Sequence, residues 1–352
     1  MHWIAVPLSF ALAAPFAEPS KQVTANVASP TSGVHASVWM PVPAGVVGLA
    51  FPALPPKLLS PPRIDSLFAS FEREGMPTFL NADGVDDGTI VLWEWDFEGD
   101  GVFDHASGVG PGVFFVYPAQ GQYQAKLRAT DDVGLRDLAV VSVNVAPPSA
   151  ETVTDADGNV YQTVTIGSQT WMIENLKTTS FNDGTPIVEN DGFGGWNTTF
   201  GQYQWADTRD LSNYYDPMLP VDFYGAAYNE AALASGKLAP SGWRIPSEQD
   251  WLELVAFLAG DGFAGIESAA LKTSFGWNSF SGNGLDAYGF RGLPGGYVSS
   301  FGGATGAPVI ATWATTEATA TRRLVVNLLD NASVLFAENS TLLGATVRCI
   351  KE

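Results

Sequence analysis

Along the chain, the apolar residues form first an unbroken run and then a proline-rich stretch without period. A period of two follows, and finally a mixture of two and 3.6. The run, Trp3 to Ala14, is followed by small residues and Pro15, the form of a secretory leader over residues 1–17 with Ala11-Leu12-Ala13 as its cleavage site. Its flank carries His2 but no lysine or arginine, and a hydrophobic N-terminal strand is the other reading. Residues 18–62, ending "FPALPPKLLSPP", have the Pro/Ala/Val/Ser composition of an extended spacer. No other segment approaches the ~18 uninterrupted apolar residues of a membrane span.

The period of two dominates residues 63–147. In "YQAKLRAT", Tyr123, Ala125, Leu127 and Ala129 share one face, and Gln124, Lys126, Arg128 and Thr130 the other. "TIVLWEWDF" precedes this strand, and "LAVVSVNV" follows it after the turn residues "DDVG". Short strands spaced by turns predict a small β-sandwich. "APPSAE", residues 146–151, reads as a linker to a second unit over 151–352. That unit opens with two strands around "GSQ" and then carries a helical period. Ser247 is placed as N-cap, Glu248 to Asp250 put acids in the first turn, and Trp251, Leu254, Val255 and Leu258 form one apolar face. Gly260 is placed to stop this helix, and a shorter one is expected near "AAYNEAALASG". The rest reads as strands and Gly-rich loops, so this unit is expected to be α+β.

Charge narrows the partners. The chain has 352 residues and a net charge of −20, distributed as +1 over 1–62, −9 over 63–147 and −12 over 151–352. Two acidic bodies argue against nucleic acid and anionic membranes. With Cys349 as the single cysteine, neither an intrachain disulfide nor a Cys-based zinc site can form.

Two resemblances sharpen the picture. "NADGVDDGTIVLWEWDFEGDG" followed by "GQYQAKLRATDDVG" resembles a polycystic kidney disease (PKD) domain through Trp95-Asp96-Phe97, Tyr123, Leu127, Asp131 and Gly134, over about 85 residues. The resemblance implies an immunoglobulin-like all-β sandwich, usually a spacer or adhesion module of secreted proteins. "DADGNVYQTVTIGSQTWMIENLK", "GKLAPSGWRIPSEQDWLELV", "LKTSFGWNSFSGNGLDAYGFRGLPGGYV" and "VRCIKE" are collinear over about 200 residues and resemble the Fibrobacter succinogenes major paralogous domain. This second resemblance implies a secreted or surface domain with a C-type-lectin-like fold. Some of its relatives pair a cysteine before P-x-G-W with the final one. Leu238-Ala239 stand there in this chain, so Cys349 has no such partner.

One stretch suggests a metal. In "DFEGDGVFD", residues 96–104, Asp96, Glu98, Asp100 and Asp104 fall at positions 1, 3, 5 and 9, Gly101 at 6, and Val102 at 7 could offer its carbonyl. Position 12 is Ser107 and the flanks are strands, so this is no EF-hand. It reads either as a structural Ca2+ loop or as a metal-free turn whose aspartates accept backbone N–H bonds. "DGVDDG" (83–88) and "DADGN" (155–159) read as turns.

Catalytic patterns are sparse. The histidines are His2, His35 and His105, so the second unit cannot hold a His-based triad or a His-ligated zinc. Glu174, Asp250, Glu253 and Glu317 are candidates in principle for paired-carboxylate chemistry, and nothing in the pattern pairs any two of them. For binding, Trp171, Trp243, Trp251 and Trp277 read as core, and Trp196, Trp205 and Trp313 as candidates for stacking on a ligand. E-P-N, Q-P-D and W-N-D sugar motifs are absent. Residues 316–344 add Arg322, Arg323, Asn327, Asn331 and Asn339, on strands where the resemblance expects ligand contacts. The expectation is therefore an exported, non-catalytic adhesion or recognition protein that meets a protein or glycan on a cell or matrix surface. A structural subunit that self-assembles, and a carbohydrate-active enzyme or its accessory module, are the alternatives.

Overall fold

The computed structural model describes residues 59–352 apart from 193–194, 206–221 and 279. The leader and all but the last residues of the spacer lie outside the described residues. The protein is multidomain and rich in strands, with 9% of it helical. No helix among the described residues is long and apolar enough to cross a membrane.

The first domain is a β-sandwich. One sheet holds β1 (Arg63–Ala69), β3 (Pro77–Val85) and β6 (Val113–Val116) in the order β1-β3-β6. The other holds β2 (Glu72–Arg73), β4 (Ile90–Asp96), β5 (His105–Ser107), β7 (Gly121–Asp131) and β8 (Arg136–Ala146) in the order β2-β8-β7-β4-β5. The alternation read in β7 holds in space. Ala125, Leu127 and Ala129 are fully buried and Tyr123 packs at the rim, while Gln124, Lys126 and Arg128 face outward. Thr130, expected outside, is also buried. The inward residues join Trp93, Trp95, Phe97, Tyr117 and Val143 in one core.

The second domain has two larger sheets. Its first and last strands share the smaller one, ordered β15 (Trp243–Arg244), β22 (Ile350–Lys351), β11 (Gln169–Met172), β10 (Val160–Ile166) and β9 (Thr152–Thr154). The larger is ordered β12 (Val188–Glu189), β13 (Gln202–Trp205), β14 (Ala226–Tyr228), β21 (Ala345–Thr346), β18 (Ala311–Ala318), β19 (Arg322–Leu328) and β20 (Leu335–Ser340). A hairpin, β16 (Tyr297–Val298) with β17 (Ala304–Thr305), stands beside it.

Three short helices, α1 (Glu230–Leu233), α2 (Glu248–Leu258) and α3 (Glu267–Leu271), are set among these strands. The domain is thus mostly strands. Ser247 and Asp250 form a reciprocal capping box on α2, and Trp251, Leu254 and Leu258 bury its apolar stripe. Gly260 does not end this helix. The chain widens through Ala259–Phe263 and reverses at Gly262, whose φ of 99° suits a residue without Cβ.

The two domains dock through a small aromatic cluster. Phe79 stacks on Phe275 at 5.4 Å, and Phe114 meets Phe223 and Phe275 edge-on at 5.2 and 5.5 Å. Beside it, Arg291 Nε donates to Glu72 Oε2 at 2.7 Å and its Nη2 to the Pro77 carbonyl, and both side chains of this ion pair are 5% exposed. Arg291 sits in left-handed backbone, φ 61°, and its N–H is fixed by Asp286 Oδ1. Removing one partner of a buried pair strands the other charge. Arg291→Ala should therefore lower unfolding free energy by about 3–5 kcal/mol, read from denaturant midpoints.

The same junction predicts a pH dependence. Burial, opposed by Arg291, lifts the Glu72 carboxyl to about 7 from 4.5, and burial lifts Asp286 to about 6 from 3.8. Both acids hold protons more tightly in the folded chain. Their contribution to stability is therefore full below the unfolded values and is lost as pH rises through 6 to 7. Stability should fall between about pH 4 and 7 in urea titrations, with a shallower slope in Glu72→Gln. An equal slope in that variant would refute the assignment.

Candidate functional site

The acidic turn after β4 folds around Asp96. Its side chain is fully buried and accepts the N–H groups of Gly99 (2.7 Å), Asp100 (3.0 Å) and Gly101 (2.8 Å), while Lys126 Nζ sits at 3.2 Å. Burial raises the Asp96 pKa, but these N–H groups and Lys126 outweigh it and hold the carboxyl below its usual range. Gly99, at φ 78°, is required here because a Cβ would lie 2.4 Å from the Gln124 carbonyl oxygen.

Of the other predicted calcium ligands, Asp100 accepts the Val102 N–H and Asp104 accepts the Phe97 N–H. Burial and the neighbouring Asp104 raise the Glu98 carboxyl. Asp96, counted as the first ligand, thus spends both oxygens on the loop itself. Among the described residues, no group of three or more His, Cys, Asp or Glu side chains is placed to hold a metal ion.

The second domain disperses the predicted binding residues. Trp313 is fully buried, stacked on Trp251 at 5.5 Å with its indole N–H donated to Asn175 Oδ1. Arg323 is 5% exposed, paired with Glu230 and bonded to the Thr315 carbonyl, and Asn327 is buried against Thr312. Trp313 and Asn327 are thus tied into the sheet, while Arg323 also lines the small cavity with Asn339. Burial runs unbroken over Ala311–Thr315 of β18 and Val325–Leu328 of β19, so alternation there does not bring side chains to the surface. Trp205 is half-buried and edge-on to Tyr203, while Asn331 is exposed and bonded to the Asn283 carbonyl in another loop.

Trp196 and Asn339 do come together, through three converging loops. Val298 and Gly344 exchange backbone bonds of 2.9 and 2.8 Å, joining the β16–β17 hairpin to the turn after β20. Trp196 packs its ring on Gly344, where a Cβ would lie 2.2 Å from it. Gln204 Nε2 holds the hairpin tip through the Gly302 carbonyl. Asn339 and Tyr297 line a cavity of about 10 Å³ between these elements, space for one water.

Two apolar side chains crown the loops, Phe301 at 83% exposure and Leu342 at 47%. Arg322, cross-strand from Ser340, is exposed nearby in register. The sequence reading missed Phe301 and Leu342. The signal was present in "SSFGG", a lone aromatic in a Ser/Gly turn with no apolar neighbour to pack against.

The carboxylates considered for catalysis are engaged elsewhere. Burial raises the Asp250 pKa, but bonds from Arg244 and Ser247 overcome this and hold it at about 2. Glu317 accepts the Glu248 N–H and Glu174 the Gln162 N–H, and Glu253 bonds Gln249. Cys349 is fully buried, which pushes its thiol up to about 12.

Comparison with known proteins follows the two-domain division. Residues 164–351 match the family model of the Fibrobacter succinogenes major domain, and residues 69–144 match that of the PKD domain. Among solved structures, the PKD1 domain of Vibrio anguillarum Epp is 24% identical over 26% of this chain and 99% of its own, with a TM-score of 0.22. The PKD1 domain of the Vibrio cholerae metalloprotease PrtV is 25% identical over 25% and 99%, at 0.21. The Yersinia pseudotuberculosis adhesin InvE is 12% identical over 83% and 70%, at 0.22. TM-scores this low carry no inference about this chain. No curated protein matches the sequence.

The acidic turn yields a two-part prediction. Asp96→Ala leaves three N–H groups and Lys126 without their acceptor and should cost about 3 kcal/mol. With Asp96 committed to the loop, calcium should produce neither heat in calorimetry nor a shift in Tm. Calcium binding that disappears in Asp96→Ala would show that the loop opens to release this carboxylate.

Proposed function

Because the chain belongs to the Fibrobacter succinogenes major domain family and carries a PKD sandwich ahead of that domain, we propose that it is an exported, non-catalytic recognition or adhesion protein. The sandwich holds the terminal domain, and the terminal domain meets a protein or glycan on a cell or matrix surface. One observation carries this reading. The three loops around Trp196, Phe301 and Leu342 raise solvent-exposed apolar side chains on a base locked by backbone bonds, whereas the candidate catalytic groups are tied into the fold. An exposed aromatic on a rigid turn loses little conformational entropy on contact and adds apolar area, which is how binding anchors work.

The finer reading of this domain as α+β and C-type-lectin-like is part of the proposal, supported by the three helices set among its strands. Extracellular placement rests on the apolar leader pattern at residues 3–14 and on the company PKD modules keep. The test is a glycan and surface-protein array probed with the full chain and with Phe301→Ser, a substitution at a solvent-facing turn. Discrete ligands that lose about tenfold or more in affinity with the variant are expected, the loss of one buried aromatic anchor. Ligands retained at full affinity by the variant would move the recognition face elsewhere. Turnover of any arrayed glycan would overturn the non-catalytic reading.

A further inference from the structure

We propose a second binding site, on the sandwich: the groove over β7 and β8 that ends at Arg136 takes an acidic, uronate-bearing polysaccharide. This goes beyond the terminal-domain reading and does not depend on it, since every residue involved lies in the first domain.

The groove has a volume of about 490 Å³, in the range of ligand sites. Its floor is the outward face of β7, with Lys126 and Arg128, and its walls include Phe103, Arg136 and Leu138. Three of the five Lys and Arg residues between positions 63 and 147 therefore meet here, in a segment whose net charge is −9.

The carboxylates around the groove are already engaged. Asp96 holds the acidic turn and Lys126. Asp137 accepts the N–H groups of Ile64 and Leu138. Glu94 takes a two-pronged bond from Arg128 at 2.7 Å on each arm, and the Arg128 guanidinium lies 3.8 Å over the Phe103 ring. Arg128 is thereby fixed with N–H groups to spare. Arg136 is different. Among the described residues, only it and Arg322, of the Lys and Arg side chains, make no hydrogen bond, ion pair or ring contact, and the charge of Arg136 acts on Glu94 only at longer range.

This arrangement selects the ligand. An uncommitted guanidinium beside a second, pre-positioned one is complementary to carboxylate, which it can bind in two-pronged form. Leu138, 55% exposed, offers an apolar surface for the C–H face of a sugar ring beside the Arg128–Phe103 stack. A peptide is disfavoured. β7 is bonded on both sides, to β4 and β8, and leaves no strand edge for another backbone to pair with, so recognition falls to side chains.

The test is calorimetric titration of the full chain with oligogalacturonate, its methyl ester and poly-glutamate. Arg136→Glu and Arg136→Gln are the site variants and Phe301→Ser the control. Both Arg136 changes fall on an exposed strand position, and their melting curves check the fold. Oligogalacturonate should bind, more weakly as salt rises. Binding should drop about tenfold or more in Arg136→Glu, less in Arg136→Gln, and remain unchanged in Phe301→Ser. Absence of binding, equal binding of the methyl ester, equal binding of poly-glutamate or indifference to Arg136→Glu would each overturn the proposal. A ligand lost with Phe301→Ser but not with Arg136→Glu would leave the terminal face standing and remove this site.

Discussion

The second domain is organised around a buried cation. Arg348 is fully buried, and among the described residues no carboxylate is hydrogen-bonded to it, although the charges of Glu174 and Asp286 act on it at longer range. Its guanidinium donates twice to Asn175 Oδ1, at 3.0 and 2.8 Å, and also to the carbonyls of Phe290 and Arg291. The Phe290 and Trp313 rings face it at 4.8 and 5.4 Å. A charge taken out of water costs several kcal/mol unless its hydrogens are all met. Burial accordingly pulls the Arg348 pKa down to about 9. Asn175 is shared: its oxygen also takes the Trp313 indole N–H, and its amide donates to the Tyr224 carbonyl. One amide and one guanidinium thus tie together the end of β11, the 290 loop, β18 and the segment before β14.

The hub reaches into the first domain. The carbonyl of Arg291 accepts from Arg348, while its side chain crosses to Glu72. A chain of polar contacts therefore runs from the core of the terminal domain to the sandwich, flanked by the Phe79, Phe114 and Phe275 rings. Among the described residues there are three apolar cores, one in the sandwich and two in the terminal domain, and a fourth cluster shared between them. For a protein whose proposed work is presentation, this matters physically. A docked junction means that the terminal face is offered in one orientation, and ordering it on binding costs less entropy than it would across a loose hinge.

Much of this was legible in the sequence, and the parts that were not have a common cause. Periodicity located β7 and α2 because each buries one face against a single layer, and Ser247 marked the start of α2 because a cap is a local device. Gly260 misled because the chain could widen by a turn before reversing at Gly262, a choice set by where α3 packs. Trp313, Arg323 and Asn327 read as surface residues from their polarity or their position in the likely-looking strands. They are interior because the stretches Ala311–Thr315 and Val325–Leu328 and the Arg323–Glu230 pair pack against other elements, a fact of topology rather than composition. Arg348 stood in the quoted motif "VRCIKE", yet nothing in six residues says that an arginine is the centre of a core. The acidic turn was read as two alternatives, a calcium loop or a metal-free turn. What the sequence did not show was Lys126 beside it, thirty positions away and adjacent only through the pairing of Asp96 with Lys126 across β4 and β7.

Charge accounting links these observations. A chain with 37 acids and 17 bases might be expected to leave its few cations wherever they fall. Instead they are consumed in structure. Arg348 and Lys272 are buried, Arg291 and Arg323 are buried in ion pairs, and Lys126 and Arg128 steady the acidic turn and its neighbour. Surface ion pairs add little stability, so the exposed pairs do not explain this economy, but the buried ones do: each joins elements far apart in sequence. Against that background an uncommitted arginine is informative. Long-range repulsion from the remaining acids keeps anionic partners away from most of the surface, and a free guanidinium lowers that barrier locally. On the sandwich, Arg136 is where that lowering coincides with a groove.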